Sequence, residues 1–279
     1  MEYINKSQVW AVVIWYNPSI DNRNNIQLYQ KDVEGVIVVD NSDSDNSKLL
    51  NDSSIIYLPQ HKNLGIAAAL NIGCKEAIKH GAHWILTMDQ DSKWNQQTVP
   101  EYIAEANTYH HIEQVGIFSP YHDCDGKPET HHRNGRYELK MNTMCSGNLL
   151  NINAWKQTNG FREDFFIDLV DDEICCHIRQ IGLQVIVLNN ILLTHKLGNG
   201  IQHSKLLRRS HTSHPVWRYY YIARNIHIMI SLYPDRKKYY RSQVFKYIKR
   251  ICLYHRDHKL AKLQQFYRGW KDAYFLLLH

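Results

Sequence analysis

Apolar residues gather in short β-rich runs through the first two hundred positions and in longer helical patterns after them. Val9 to Trp15 is an almost unbroken apolar run that stops at Tyr16-Asn17-Pro18, which predicts a strand buried on both faces of a parallel sheet. Val36-Ile37-Val38-Val39, ending in Asp40-Asn41-Ser42, predicts a second strand, and Ile55-Ile56-Tyr57-Leu58 a short third. Trp84 to Met88 is a fourth, and it runs straight into Asp89-Gln90-Asp91-Ser92. Between them, Ser19 to Asp32 is weakly helical. Leu64 to His80 sets Ala67, Leu70, Cys74 and Ala77-Ile78 on one helical face before Gly81 ends it. Strand and helix alternating in this rhythm predict an α/β sandwich around a mainly parallel sheet.

Further along, Thr98 to Tyr109 reads as a helix with Pro100 in its first turn, and Gly116 to Ser119 as a strand. Tyr121 to Tyr137 is polar and reads as a loop. Its histidines, His122, His131 and His132, lack tight ligand spacing and read as solvated. Thr143 to Leu150 passes through Ser146-Gly147 into an apolar strand, and Ala154 to Thr158 is a short helix. Val170-Asp171-Asp172-Glu173 opens a helix with Asp168 or Asp171 as its cap, Ile174, Ile178 and Ile181 on its buried face, and Gly182 as its stop. Gln184 to Leu188 is a strand, and Leu192-Leu193-Thr194 leads to His195. From His211 the pattern becomes helical, aromatic and basic. Val244, Ile248 and Ile251 recur at helical spacing while Lys246, Lys249 and Arg250 take other faces. This divides the chain into a domain over 1–210 and a basic helical extension over 211–279.

Composition sharpens the picture at three points. No apolar stretch approaches the roughly 20 residues of a membrane-spanning helix, and Met1 to Asn5 shows no secretion signal. The six cysteines form no Cys-x-x-Cys pair, so they read as reduced thiols of a cytoplasmic protein. The net charge of +6 hides an asymmetry. Ile201 to His279 holds 17 Lys and Arg against three acids, a net +14, which leaves −8 on the first 200 residues. A basic, Tyr- and Trp-rich helical segment fits an anionic bilayer surface, or equally a helical cap with a solvated basic face. No recognition motif accompanies the charge, so no nucleic-acid partner is expected.

The candidate chemistry lies at the strand ends. In an extended segment Asp89 and Asp91 point the same way and converge on one hard divalent cation through oxygen, unless they only form a solvated turn. Ligands of such sheets bind beyond the carboxyl ends of the strands, so Tyr16-Asn17, Asp40-Asn41 and Asp89-Asp91 share one rim. The acids of Val170 to Glu173 suit the positive end of a helix dipole, but they are more numerous than a cap requires. His195 is a metal ligand, a phosphate contact or a structural histidine.

Five pieces occur in order: Val12-Val13-Ile14-Trp15-Tyr16-Asn17; Val39-Asp40-Asn41-Ser42; Asn63-Leu64-Gly65 through Asn71; Met88-Asp89-Gln90-Asp91; and Val170-Asp171-Asp172-Glu173 with His195 beyond. Over roughly residues 8 to 230 the chain resembles the inverting nucleotide-sugar glycosyltransferases of family 2, with the GT-A (Rossmann-like) fold. Within that family it looks like the bacterial rhamnosyltransferases of cell-surface polysaccharide and O-antigen synthesis. The resemblance implies that Tyr16, Asn17, Asp40, Asn63, Gly65, Asn71, Asp89 and Gln90 bind the nucleotide-sugar donor. It implies that Asp89, Asp91 and His195 hold Mg2+ or Mn2+, and that Asp171 is the base, or Asp172 if the register shifts by one. Ser146, Gly147 and Asp172 then line the sugar and acceptor loop. Donor binding falls in 8–92 and acceptor binding in 93–210. The family often has Thr or Ser where this chain has Ile14 and Trp15, so a dTDP- or UDP-linked donor stays open. A glycan or lipid-linked acceptor at the inner face of the bacterial plasma membrane is the implied partner. A nucleotidyltransferase would need a Gly-rich phosphate loop where Asn17-Pro18-Ser19 stands. A non-catalytic binding module would have no need of Asp89, Asp91 and Asp171.

Overall fold

The computed structural model describes residues 3–50, 52–94, 98–124, 127–128, 135–195, 201–204, 209–255 and 257–277; for 123–124, 127–128, 195, 201–204 and 209–212 it describes the backbone alone. The chain divides into two compact units, Met1–Asp164 with Val170–Lys196, and Phe165–Leu169 with Leu197–His279. Residues 165–169 and 197–210, which the sequence pattern groups with the first part, therefore fall in the second unit.

The first unit is built on β1 (Val9–Trp15), β2 (Gly35–Asp40), β3 (Ile55–Pro59), β4 (Trp84–Asp89), β5 (Val115–Cys124), β6 (Lys127–Pro128), β7 (Tyr137–Leu139), β8 (Asn148–Asn151) and β9 (Gln184–His195). Its helices are α1 (Ile20–Gln27), α2 (Ile66–Lys79), α3 (Val99–Ala106), α4 (Ile152–Gln157) and α5 (Val170–Gln180). The strands lie in the order β3-β2-β1-β4-β8-β5-β9-β7, with β6 paired to β5. β3, β2, β1 and β4 run parallel, as do β5 and β9, while β8 and β7 run against their neighbours. β1 is buried at every position but Ile14, which is why its sequence is a continuous apolar run rather than an alternation. α2 packs on β1 and β2 closely enough that a Cβ on Gly73 would lie 2.2 Å from Val12 Cγ1. α3 opens with a reciprocal cap: Thr98 Oγ1 accepts from the Glu101 N–H, and the Glu101 carboxylate accepts the Thr98 N–H at 2.6 Å.

Three sequence expectations change. Tyr121 to Cys124 is strand, not loop, and extends β5 to the rim of the sheet. His122, read as solvated, is buried in that extension, and His131 and His132 lie outside the described residues. Gln184 to Leu188 and Leu192 to His195 form one strand across a bulge. Pro120 pairs with Leu188 and Tyr121 with Leu192, so Asn189 to Ile191 are extra residues opposite a proline that has no N–H to donate. Asp168 does not cap α5. It has φ +68°, and Arg218 grips its carboxylate with two hydrogen bonds of 2.8 and 2.9 Å.

The second unit comprises the antiparallel pair β10 (Ile201–Ser204) and β11 (Arg209–Thr212), then α6 (Arg218–Leu232), α7 (Lys237–Leu253) and α8 (Lys259–Leu276). α6 is its core, burying Tyr219, Ile222, Ala223, Ile226, Ile228 and Met229 against α7 and α8. Asn225 on α6 donates to the carbonyls of Ile167 and Asp168 at 2.9 and 2.8 Å, and His227 stacks on Trp270 with ring centres 4.0 Å apart. α8 approaches α6 through Gly269, where an added Cβ would fall 2.0 Å from the carbonyl oxygen of Tyr220. A helix backbone cannot yield as a side chain can, so Gly269→Ala is expected to force the helices apart and to cost about 1–3 kcal/mol. A lower Tm by thermal unfolding checks this; an unchanged Tm would show that the close approach is not present.

Candidate active site

Sheet register builds the site. Trp15 pairs with Asp40 and Ile14 with Asp89, so β1, β2 and β4 end at one level and deliver Tyr16, Asp40 and Asp89 to a common rim. Gln90 holds this rim together. Its side-chain oxygen accepts the Tyr16 N–H at 2.8 Å and its side-chain nitrogen donates to the Tyr16 carbonyl at 3.3 Å. Its own carbonyl accepts from Asn22 and Asn25 of α1 at 3.0 and 2.7 Å. Tyr16 itself is exposed, and Asn17, at φ +48°, donates its N–H to Ser42 Oγ at 2.7 Å.

The opposite wall starts where antiparallel β8 leaves the same rim. Gly147, at φ +80°, donates to the Thr87 carbonyl at 2.6 Å, and a Cβ there would strike Leu193 and Pro120. Buried Ser146 accepts the Asp89 N–H at 3.1 Å and donates to buried Ser92 Oγ at 2.7 Å. The His122 ring meets the Ser146 carbonyl at 2.7 Å. The loop of Asp89 to Ser92 is thus fixed from both sides, with the half-buried Asp89 and Asp91 carboxylates at its turn.

Asp171 and Asp172 open α5. Asp172 accepts a 2.7 Å hydrogen bond from Asn142, and Asp171 accepts the Asp172 N–H at 3.0 Å. Burial, then the charge of Asp172, and further off that of Asp89, push the Asp171 carboxyl up to about 7. The thiol of Cys145 is held up by burial and then by Asp171 and Asp89, so both carboxylates lie within electrostatic reach of one side chain. A cavity of about 350 Å3 opens beside Asp171 and Asp172, walled by Tyr121, His122, Lys140 and Asn142 among others. The Lys140 charge is already paired with Glu138 at 2.8 Å.

Two predicted contact residues have other work. Asp40 is fully buried, and its oxygens accept from the Ser42 N–H and hydroxyl, from Asn46 and from the Tyr57 hydroxyl at 2.5–2.9 Å. Asn71 is buried and saturated: it donates to the Phe161 carbonyl and Glu163, and accepts from Trp155 Nε1 and the Phe161 N–H. Asn63 caps the Gly65 N–H at 3.0 Å, ahead of α2. Asp40 and Asn71 thus spend their polar atoms on loops, and Asn63 spends its side-chain carbonyl oxygen the same way. His122, Ser92 and Asn142 escaped the sequence reading. Only for His122 was there a signal, the apolar run from Gly116 that continues to Tyr121.

Asp89 and Asp91 fit a divalent cation on electrostatic grounds. They are hard oxygen donors, and the Asp89 charge reaches Asp171, whose carboxyl is raised first by burial and then by Asp172. Among the described residues no three or more metal-binding side chains converge. The His195 side chain lies outside the described residues, although Thr194 just before it pairs with Lys93 at 2.9 and 3.1 Å, two residues past Asp91.

The family profile Glycosyl transferase family 2 matches residues 20–169, more than half of the chain. The chain belongs to this family. It is a glycosyltransferase, and its fold is the GT-A arrangement. A relative named dTDP-rhamnosyl transferase RfbF, from Shigella flexneri, is 27% identical over 243 residues, covering 80% of each chain. Among solved structures, S. aureus TarS aligns over 95% of this chain and 48% of its own, at 14% identity and TM-score 0.59. GalNAc-T7, crystallised with UDP, GalNAc and Mn2+, aligns over 69% of this chain and 44% of its own, at 10% identity and TM-score 0.56. The chain thus spans about half the length of these two solved structures or less.

The raised Asp171 predicts an inverse pH dependence of stability. Between its ordinary value near 3.8 and about 7, the folded protein keeps a proton that the unfolded chain has lost, so stability falls as pH rises through that window and levels off above it. Asp171→Asn removes the charge. It is expected to melt above the parent at pH 8, by about 2–4 °C for each kcal/mol relieved, and by much less at pH 4.5. Thermal melts at the two pH values decide this, and a variant that gains nothing at pH 8 would contradict the crowding of charge.

Proposed function

We propose that this glycosyltransferase moves a rhamnosyl group from dTDP-rhamnose to a hydroxyl of a growing, lipid-linked surface glycan, with inversion and with Mg2+ or Mn2+ at Asp89 and Asp91. The observation that carries the reaction type is the strand-end Asp89, with Asp91 two residues on, and a separate Asp171 raised to about 7 beside a cavity. The name of the Shigella relative supports the donor, and Mn2+ in the GalNAc-T7 structure supports the metal.

The rim residues bind and orient. Gln90 fixes the Tyr16 backbone, leaving the exposed ring free to cover the base, and Asp40 holds the turn beneath the ribose through Ser42 and Asn46. Asp89 and Asp91, with His195 as a further ligand, would hold a divalent cation, which would supply positive charge against the departing diphosphate, worth several kcal/mol. The cavity by Asp171 seats the acceptor, and Ser146, whose carbonyl meets the His122 ring on the cavity wall, stands behind it with Gly147. The acceptor oxygen bonds to the anomeric carbon as the bond to the diphosphate oxygen breaks. The hydroxyl proton passes to Asp171, and the diphosphate leaves with the electron pair. A base whose proton affinity is matched to neutral pH is well placed for this, at about 10²–10⁴-fold in rate. Asp172, turned toward Asn142, supplies field rather than base.

A panel of nucleoside diphosphates tests the site. dTDP is expected to raise the Tm only with Mn2+ or Mg2+, and Asp91→Ala to abolish that rise. Asp171→Asn is expected to keep the rise and to lose turnover by about 10²–10⁴-fold. Turnover at the parent rate would remove Asp171 as base, and a response to UDP rather than dTDP would change the donor.

The lipid-linked acceptor is supported by the outer faces of α7 and α8. Among the described residues no helix is long and apolar enough to cross a membrane. Yet α7 carries six Lys and Arg and no acid, and its outer face mixes Lys238, Arg241, Lys246 and Lys249 with Ile248, Leu253 and Phe245, the last 74% exposed. α8 exposes Leu260 and Tyr267 (77% and 70%), then Tyr274 and Phe275, beside Arg268 and Lys271. Cations near an anionic leaflet contribute about 1 kcal/mol each, and apolar side chains anchor between them. The protein is expected to sediment with phosphatidylglycerol vesicles at low salt and not with phosphatidylcholine vesicles. Phe245→Ser with Lys249→Glu is expected to lower the bound fraction at least tenfold. Equal sedimentation with both lipids would remove the anionic surface as partner.

A further inference from the structure

The helical unit also holds inward-facing cations that neither the sugar transfer nor the outer helix faces employ. Lys262 on α8 is 1% exposed. Its ammonium donates to Ser213 Oγ at 3.1 Å, stands 3.4 Å from Asp257 Oδ1, and lies 5.8 Å from the centre of the Tyr219 ring. The Tyr219 hydroxyl accepts the His214 N–H and meets Nδ1 of buried His255, each at 3.3 Å. Arg250 in the last turn of α7 lies over Tyr247 at 5.8 Å, and Arg218 opens α6 with its fork on Asp168. Electrostatics bind these groups into one cluster. The His214 imidazole is held below its ordinary pKa by burial first and then by Arg218, and Arg250 and Lys262 push the same way against Asp168.

Three permanent cations, Lys262 buried and Arg218 and Arg250 part-buried, thus gather with Asp168 and the half-exposed Asp257. Burying a lysine is costly unless its charge is met, and a hydroxyl and a carboxylate at 3.4 Å meet it poorly. The donors gathered here are guanidinium, ammonium, imidazole and phenol, the set that recognises phosphate oxygens. Exposed leucines flank it in the chain: Leu253 lies three residues past Arg250 and Leu260 two before Lys262. We propose that Arg218, Arg250, Lys262, His214 and Tyr219 form a binding site for the phosphate or diphosphate group of an amphiphilic ligand whose apolar tail lies along Leu253 and Leu260. This deepens, and rests on, the lipid-linked acceptor reading: the group the site holds is the charged end of such a lipid.

Calorimetric titration of the full chain in EDTA tests it, because the metal-dependent donor site is then silent. The probes are inorganic pyrophosphate, farnesyl diphosphate and farnesol. Farnesyl diphosphate is expected to bind at least tenfold more tightly than either of the others. Arg250→Gln is expected to weaken it at least tenfold while leaving Tm and the metal-dependent nucleotide shift unchanged. Lys262→Met, which keeps the stem apolar, should do the same wherever its Tm shows it folded. Farnesol binding as tightly as its diphosphate, or full affinity in both variants, would overturn the proposal. Pyrophosphate binding as tightly as farnesyl diphosphate would overturn the lipid assignment in favour of a free anion. The nucleotide shift, read on the same samples, reports on the sugar-transfer reading separately.

Discussion

Parallel register around β1 is the constraint on which the site depends. β1 is buried on both faces, so its own pattern cannot distinguish one register from the next. The ends of the strands do so instead. Asp40 and Asp89 close β2 and β4, and a slip that drew either carboxylate into the sheet would bury a charge without its partners. The waiting partners lie at the rim: Ser42, Asn46 and Tyr57 for Asp40, and the loop held by Ser146 and Ser92 for Asp89. The same acids that make the site therefore help to set the level at which the strands stop.

Once the rim is level, charge accumulates on it. The charges of Asp172 and, further off, Asp89 act on Asp171, and Lys140 on the cavity wall is paired with Glu138. What holds Asp171 and Asp172 is mostly neutral: the Asn142 amide, a backbone N–H in the first turn of α5 and the positive end of that helix. Neutral donors orient a carboxylate without cancelling its charge, so burial first and then repulsion raise the Asp171 carboxyl to about 7. The fold gives up stability at this point, as sites built for proton transfer and cation binding commonly do.

How much of this was legible depended on whether a residue's role follows from its neighbours in sequence. The strands and α2 could be read because burial on both faces writes a continuous apolar run, and one-face burial writes a helical period. β5 was read short because the residues from Tyr121 on are polar, whereas the strand continues through them past Pro120 with a bulge at Asn189 to Ile191. Asp89, Asp91 and Asp171 were legible as acids ending apolar runs or opening a helix. Asp40 looked like a ligand group because it ends an apolar run, and the family resemblance implied the same of Asn71, but their partners, Tyr57 and Asn46 for one and Trp155 and Glu163 for the other, come from elsewhere in the chain. Sequence shows which polar groups exist; only the fold shows which are already spent. Asn142 and Ser92 carried no pattern at all.

The basic tail makes the same point with the opposite sign. In sequence its +14 is one property, but the helices sort it into two. On α7 the cations stand outward among Phe245, Ile248 and Leu253, each hydrated, and they act together as a field that salt screens over a Debye length of about 8–10 Å. Lys262 and Arg250 turn toward Tyr219 and Tyr247, where water is scarce and screening weak. A solvated lysine requires no explanation from function, because water meets its charge. A buried one needs a counter-charge strong enough to repay desolvation, and Asp257 at 3.4 Å with half its side chain in solvent is a weak candidate. The burial of Lys262, more than the net charge of the tail, is therefore what argues for an anionic ligand in this unit.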